Sequence, residues 1–369
     1  MKIAFVHDWL TGMRGGERCL EAMCELFPGA DIYTLLHIPG SVSGTIERHR
    51  IITSPLQYFP LVKNKYPYYL PVMPLAIESF CLRGYDLVIS SSHCVAKGAR
   101  ILGRTPHLCY CYTPMRYVWD MHAQYFQKQN LTSLVMRLLR RPLKKWDLAS
   151  SRKVDAFIAI SKTVQKRIKR CYTTDSRILY PPVDTERFLH REQRGDYYLV
   201  VGAMVPYKRV DIAVDAFNVL GYPLKIAGWG TEEARLKKIA KGNISFLGRL
   251  SDPEIASLYS RCKALIFPGE EDFGIVPLEA MASGKPVLAF AGGGAVETVV
   301  NYEKGSARPA TGILFKEQNA GGLIRAVKSF ERIERLFLPE EIKKHSLAFD
   351  KKVFKTGFGQ IIEEFLSNA

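Results

Sequence analysis

The sequence predicts an α/β protein of two domains, each built on a parallel sheet. Three observations carry this: apolar strand-like runs alternate with amphipathic helix-like stretches, glycines sit at strand-to-helix turns, and Pro181-Pro182 with the polar stretch 185–196 divides the alternation into two series. At 369 residues the chain is long enough for two full cores. The expected division is 1–186 and 187–349, followed by a terminal helix over 350–369.

The first strand, Ile3 to His7, leads through a loop with Gly12, Gly15 and Gly16 into a helix over Glu17 to Leu26. Such glycines let backbone amides approach an anion closely, although Gly-x-x-Gly-Gly-Glu is not the dinucleotide fingerprint. The stretch 50–83 combines Tyr58, Phe59, Tyr66, Tyr68 and Tyr69 with Lys63 and Lys65, a composition that suits a membrane boundary, a saccharide or plain loop packing. Strands Asp86 to Ser90 and His107 to Tyr112 follow. Parallel sheets bind ligands beyond their carboxyl edges, which places His93, Tyr112 and Arg116 at such an edge. His93 there serves either a ligand hydroxyl or the core, and Arg116 suits a phosphate.

Residues 131–146 read as a basic amphipathic helix. Leu131, Leu134, Val135, Leu138, Leu139 and Trp146 form its apolar side, Arg137, Arg140, Arg141, Lys144 and Lys145 supply charge, and Pro142 is expected to break or kink it. It fits an anionic membrane surface or a solvated face. Strand Ala156 to Ser161 and the run Arg177 to Pro182 close the first series.

The second series has strands at Tyr197 to Val201, Leu224 to Ala227, Ile244 to Leu247, Ala264 to Phe267, Pro286 to Phe290 and Gly312 to Phe315. Ser251, Pro253 and Glu254 form a capping box with proline in the first turn. Lys208 and Arg209 follow the first strand, where cations can neutralise charge on a departing group. Arg249 follows the third. Gly292, Gly293 and Gly294 form a further loop after Phe290. The tail carries Phe354, Phe358, Ile361, Ile362 and Phe365 on one helical side.

The densest signal is EEDFGIVPLEAMASGKPV, residues 270–287. A helix starts after Gly274 and runs through Ile275, Leu278 and Met281 until Gly284. Glu271 precedes it and Glu279 lies inside it, about 7 Å along the axis from Gly274 at ~1.5 Å per residue. Free amides at Gly274 and Ile275 suit phosphate oxygens, and a carboxylate on each side suits sugar hydroxyls. With Pro268, Gly269, Phe273, Gly284 and Pro286, this order resembles the donor-site signature of the retaining glycosyltransferases of family 4.

That resemblance implies the GT-B fold, two Rossmann-like parallel-sheet domains facing a cleft, with the terminal helix over 350–369 returning to the first domain. It implies that Glu271 contacts the transferred sugar and Glu279 the ribose, while Gly15, Gly16, Lys208, Arg209, Arg249, Phe273, Gly274 and Ile275 complete the donor site. Catalytic roles fall to Lys208, Glu271 and His93, and acceptor or sugar contacts to His93, Tyr112 and Arg116. The region 86–120 resembles a subgroup associated with mannosyl transfer in O-antigen and lipopolysaccharide biosynthesis. GDP-mannose is then the expected nucleotide-sugar and a lipid-linked saccharide the expected acceptor, with no metal and no cofactor. Two positions depart from the family: Tyr112 stands where members carry His, and Ala203 where they carry Arg. An epimerase or phosphorylase on the same fold, or a non-catalytic sugar- or lipid-binding derivative, are the competing readings.

Composition narrows the partners. The net charge is +16, and twelve Lys and Arg stand against two Asp between residues 131 and 170. Such a balance fits a diphosphate substrate or an anionic membrane face. No nucleic-acid-reading motif is present. Eight scattered cysteines without metal spacing read as reduced thiols, and the strand begins directly after Met1, so a cytoplasmic protein, peripheral on the inner membrane face, is expected.

Overall fold

The computed structural model describes residues 1–119, 131–188, 195–306 and 308–367. The chain divides into two compact units, Met1–Pro182 with Lys352–Ala369, and Val183–Lys351. The polar residues 189–194, and the side chains of Leu131 and Val135, lie outside the described set.

The first unit contains β1 (Ile3–His7), β2 (Asp31–Thr34), β3 (Ile51–Thr53), β4 (Cys81–Leu82), β5 (Leu87–Ser92), β6 (Arg100–Ile101), β7 (His107–Cys111), β8 (Ala156–Ala159) and β9 (Arg177–Ile178). Seven form one sheet in the order β3-β2-β1-β5-β7-β8-β9, every pair parallel, while β4 and β6 pair separately. Every residue of β1, β5 and β7 is buried, as strands covered on both faces must be. Phe354 and Phe358 of the helix Lys351–Ser367 pack edge-on against Tyr110 of β7, at 5.7 and 6.3 Å between ring centroids. Lys355 pairs with Glu25 at 3.2 Å, and Arg177 with Glu364.

The second unit contains β10 (Tyr198–Val201), β11 (Leu224–Ala227), β12 (Ile244–Gly248), β13 (Leu265–Phe267), β14 (Val287–Phe290) and β15 (Gly312–Phe315), all parallel, in the order β12-β11-β10-β13-β14-β15. The capping box at Ser251 forms as expected, with Glu254 Oε2 accepting from the Ser251 amide at 2.7 Å. In both sheets the strand order reverses beside the first strand, between β1 and β5 and between β10 and β13. Chains leave such a point in opposite directions and open a crevice at the carboxyl edge.

Several elements differ from expectation. Gly15 and Gly16 are the first two residues of the helix Gly15–Leu26 rather than part of the loop. Strands β2 and β3, of four and three residues, are too short to read as strands. The run toward Pro182 pairs only over Arg177–Ile178, because Pro181 and Pro182 carry no amide hydrogen. The helix Leu131–Ser151 continues through Pro142 unbroken. The carbonyl that proline deprives of a donor is that of Leu138, which is 71% exposed, so water can satisfy it. Leu138 and Leu134 are exposed beside Arg137 and Arg141, whereas Leu143 is buried and Leu139 and Trp146 pack on the core, so the inward stripe keeps Leu139 and Trp146 of the expected apolar side and leaves Leu134 and Leu138 outside it.

His107 opens β7 and is 1% exposed, with Nε2 2.9 Å from Ser90 Oγ. Burial pushes its pKa down to about 4. Between pH 6.5 and 4 the unfolded chain therefore binds a proton that the folded chain refuses, and stability rises with pH across that window. His107 alone is expected to contribute about 3 kcal/mol of this change. Urea unfolding of wild type and His107→Gln at pH 4.5 and 7 checks it: the variant should lose most of the pH slope, and an unchanged slope would contradict the assignment.

Candidate functional site

In the second unit the site grows from the ends of β10 and β13. After β10 the chain passes Gly202 and exposed Ala203 and makes a one-turn helix, Pro206–Lys208. Arg209 then caps the helix Val210–Leu220 with φ +51°, a left-handed conformation uncommon for a residue with a side chain. Its guanidinium is held by Asp211 at 3.1 Å. After β13, Pro268 and Gly269 lead to Glu271, whose Oε1 accepts a hydrogen bond from Lys208 Nζ. The two expected catalytic groups thus meet directly across the strand-order reversal, each about one-fifth exposed (20% and 19%).

The loop carrying Glu271 is fixed from behind. The Gly294 amide donates to the Glu271 carbonyl at 2.7 Å, and a Cβ at Gly294 would lie 2.3 Å from the Phe273 Cα. The Gly292–Gly294 loop is therefore a backstop whose close approach only glycine permits. The Phe273 ring is buried 6.1 Å from Phe349. Gly274, at φ +89°, caps the helix Ile275–Ala282, and this conformation costs glycine nothing. Ile275 at the first helical position is half-buried.

Glu279, on that helix, accepts a hydrogen bond at Oε2 from the Tyr259 hydroxyl at 3.0 Å. Tyr259 is fully buried, and burial together with the adjacent Glu279 raises its pKa well above the ordinary phenol value, so it remains a donor. Its place in the site comes from packing between the helices Asp252–Arg261 and Ile275–Ala282. Arg249 follows β12 and is exposed.

In the first unit, Gly15 and Gly16 open their helix beneath a chain of polar side chains. Tyr112 donates its hydroxyl hydrogen to the Gly16 carbonyl at 2.9 Å and contacts Ser91 Oγ at 2.8 Å. Ser91 Oγ lies 3.0 Å from His7 Nδ1. His7 faces Glu17, which also accepts the Arg14 amide at 3.1 Å. Burial works to raise the Glu17 pKa, but His7 outweighs it and the carboxyl lies below its usual value. The Tyr112 hydroxyl is thus engaged in holding the glycine turn.

His93 follows β5 with its side chain 30% exposed, and its Nδ1 is 2.9 Å from Asp8 Oδ2. Asp8, directly after β1, also accepts the amides of His93, Cys94, Val95 and Ala96 at 2.7 to 3.0 Å. Arg116 is half-buried in the segment after β7. Asp8 and Tyr259 are the residues sequence reasoning missed. The only signal for Asp8 was a carboxylate immediately beyond the strand Ile3–His7.

Among the described residues no helix is long and apolar enough to cross a membrane, and no three His, Cys, Asp or Glu side chains group as a metal cage requires.

The family model for Glycosyltransferase Family 4 matches residues 13–187, and that for Glycosyl transferases group 1 matches residues 183–346. An uncharacterized glycosyltransferase of Methanocaldococcus jannaschii is 32% identical over 209 residues, 55% of each chain. An O-antigen chain mannosyltransferase of Salmonella typhimurium is 26% identical over 268 residues, 69% of this chain and 67% of that protein. The match thus spans about half the length of the first relative and two thirds of the second. A sucrose-phosphate synthase from Thermosynechococcus elongatus superposes with a TM-score of 0.73 at 18% identity, covering 100% of both chains, which shows the shared fold. With two parallel Rossmann-like sheets and both halves matched, the chain belongs to the GT-B glycosyltransferases, family 4 in its first half and group 1 in its second.

Proposed function

We propose that the protein is a retaining glycosyltransferase that moves mannose from GDP-mannose onto a lipid-linked saccharide, in the assembly of a cell-surface polysaccharide on the inner face of the cytoplasmic membrane. The observation that carries this reading is the Lys208–Glu271 pair across the β10–β13 reversal, with Glu279 on the helix that Gly274 opens. The likeness to an O-antigen chain mannosyltransferase supports the choice of sugar.

In the reaction the bond from the anomeric carbon to the diphosphate oxygen breaks, and the diphosphate keeps the electron pair. The acceptor hydroxyl forms the new bond and passes its proton to the departing diphosphate oxygen. Negative charge grows on the leaving group, where the Lys208 ammonium and the amides at Gly274 and Ile275 oppose it in a partly desolvated setting. Arg209 adds a second cation where Ala203 supplies none. Glu271 orients sugar hydroxyls and Glu279 the ribose. Neither acts as a covalent nucleophile in this scheme. The Lys208 charge makes a divalent ion unnecessary.

The helix Leu131–Ser151 presents Leu134 and Leu138 beside Arg137, Arg140, Arg141 and Lys145 on its exposed face. Each such cation contributes ~1 kcal/mol at an anionic lipid surface, so this face rests on the membrane that holds the acceptor. Labelled GDP-mannose and UDP-glucose, offered with a lipid-linked saccharide in anionic or zwitterionic vesicles containing a chelator, test all three parts. Mannose transfer, faster on anionic vesicles and unaffected by chelator, is expected. Conversion of donor without acceptor would instead favour an epimerase, and loss of all activity in chelator would overturn metal independence.

A further inference from the structure

We propose that Asp8 is a positioning residue that holds His93 in its Nδ1–H tautomer, presenting Nε2 as a hydrogen-bond acceptor for a sugar hydroxyl at the strand-order reversal of the first sheet. The hydroxyl rests on the proposed function; the tautomer does not.

Asp8 closes the crevice between β1 and β5. Its carboxylate is 0% exposed and accepts five hydrogen bonds, four of them from the consecutive amides of residues 93–96. Those four account for the turn after β5 and make no demand on the imidazole. The fifth does. An ionised carboxylate is an acceptor only, so the ring nitrogen facing it at 2.9 Å must carry a hydrogen. Burial opposes the ionised form of Asp8, but four main-chain N–H donors on one carboxylate strongly favour it. The buried carboxylate therefore stays ionised wherever the protein is folded near neutrality.

With Nδ1 donating, a neutral His93 has its free lone pair on Nε2. Trp9 packs edge-on against the ring at 4.6 Å, which fixes the ring plane. The His93 side chain is 30% exposed, while the Asp8 carboxylate it faces is wholly buried. This is the logic by which a buried carboxylate sets the imidazole tautomer in a serine-hydrolase triad, used here for recognition rather than proton abstraction.

The test is imidazole 15N NMR of the full chain with labelled histidine, the His93 signals being assigned by their loss in His93→Gln. Wild type is expected to show a protonated Nδ1 and an unprotonated Nε2, with the Nε2 signal moving on addition of GDP-mannose. In Asp8→Asn the obligate acceptor is gone, so the Nε2–H tautomer should appear and kcat should fall about tenfold, with donor KM little changed. His93→Asn, which reaches only the Nδ1 position, should lose about tenfold, and His93→Gln, whose amide oxygen reaches the Nε2 position, should lose less than His93→Asn. A wild-type Nε2–H tautomer, or an Nε2 signal that ignores bound donor, would overturn the assignment without needing any Asp8 variant to fold. Because the tautomer is read without substrate, its failure is distinct from a failure to bind donor, which would count against the proposed function.

Discussion

Lys208→Ala is expected to lower turnover of the proposed donor by about 10²- to 10³-fold, the loss typical when one preorganised group facing developing charge is removed. In the resting protein Lys208 and Glu271 neutralise each other. A bound nucleotide-sugar brings a diphosphate that competes for the ammonium and hydroxyls that compete for the carboxylate, so the pair is preorganised for both. Its contribution to folding is small by comparison. Both side chains are partly solvated, and such pairs contribute ~0–1 kcal/mol. The variant should therefore melt within a few degrees of wild type while losing most of its activity. Glu271→Gln keeps the shape and a donor–acceptor amide but loses the charge that balances Lys208, and should retain more activity than Glu271→Ala. Steady-state kinetics beside thermal melts decides the matter: a Lys208→Ala protein with near-normal kcat would remove Lys208 from the leaving-group role.

Asp147→Ala is expected to cost about 3–5 kcal/mol of stability, because it leaves a buried ammonium without its counter-charge. Asp147 is 0% and Lys97 2% exposed, and the two are hydrogen-bonded. Asp147 Oδ2 also accepts from Trp119 Nε1 at 2.7 Å and from the Tyr172 hydroxyl at 2.9 Å, joining three segments in one network. Burial works to lower the Lys97 pKa, but Asp147 outweighs it, so the lysine stays charged. For a unit of this size, about 2–4 °C per kcal/mol implies a fall of roughly 10 °C in Tm. The double replacement Lys97→Met with Asp147→Leu removes both charges together and should recover much of the loss. A single variant melting like wild type would show that the pair carries no such weight.

How much of this was legible in sequence depends on whether a feature is local. Strands β10, β13 and β14 are continuous apolar runs beside turns, and β1, β5 and β7 are buried throughout, so their positions follow from burial on both faces. Strands β11, β12 and β15 remain readable although each carries partly exposed residues. The short edge strand β3 and its neighbour β2 expose all or alternate residues to partial solvent and leave too weak a pattern. Pro142 misled because its cost depends on whether the orphaned carbonyl meets water, which only the fold reveals. The Gly274 turn and the helix bearing Glu279 were local and readable. The Tyr259 hydroxyl on Glu279 joins residues 20 apart and the Asp8 cap residues 85 to 88 apart, contacts that periodicity does not encode.

The account rests most directly on Glu279 reading the ribose of a nucleotide-sugar held by the second unit. Calorimetric titration of GDP-mannose and UDP-glucose into wild type and Glu279→Ala tests it. Saturable binding of one of them, weakened about tenfold or more by loss of the carboxylate, is the predicted result. Binding of neither, or equal binding by wild type and Glu279→Ala, would contradict it.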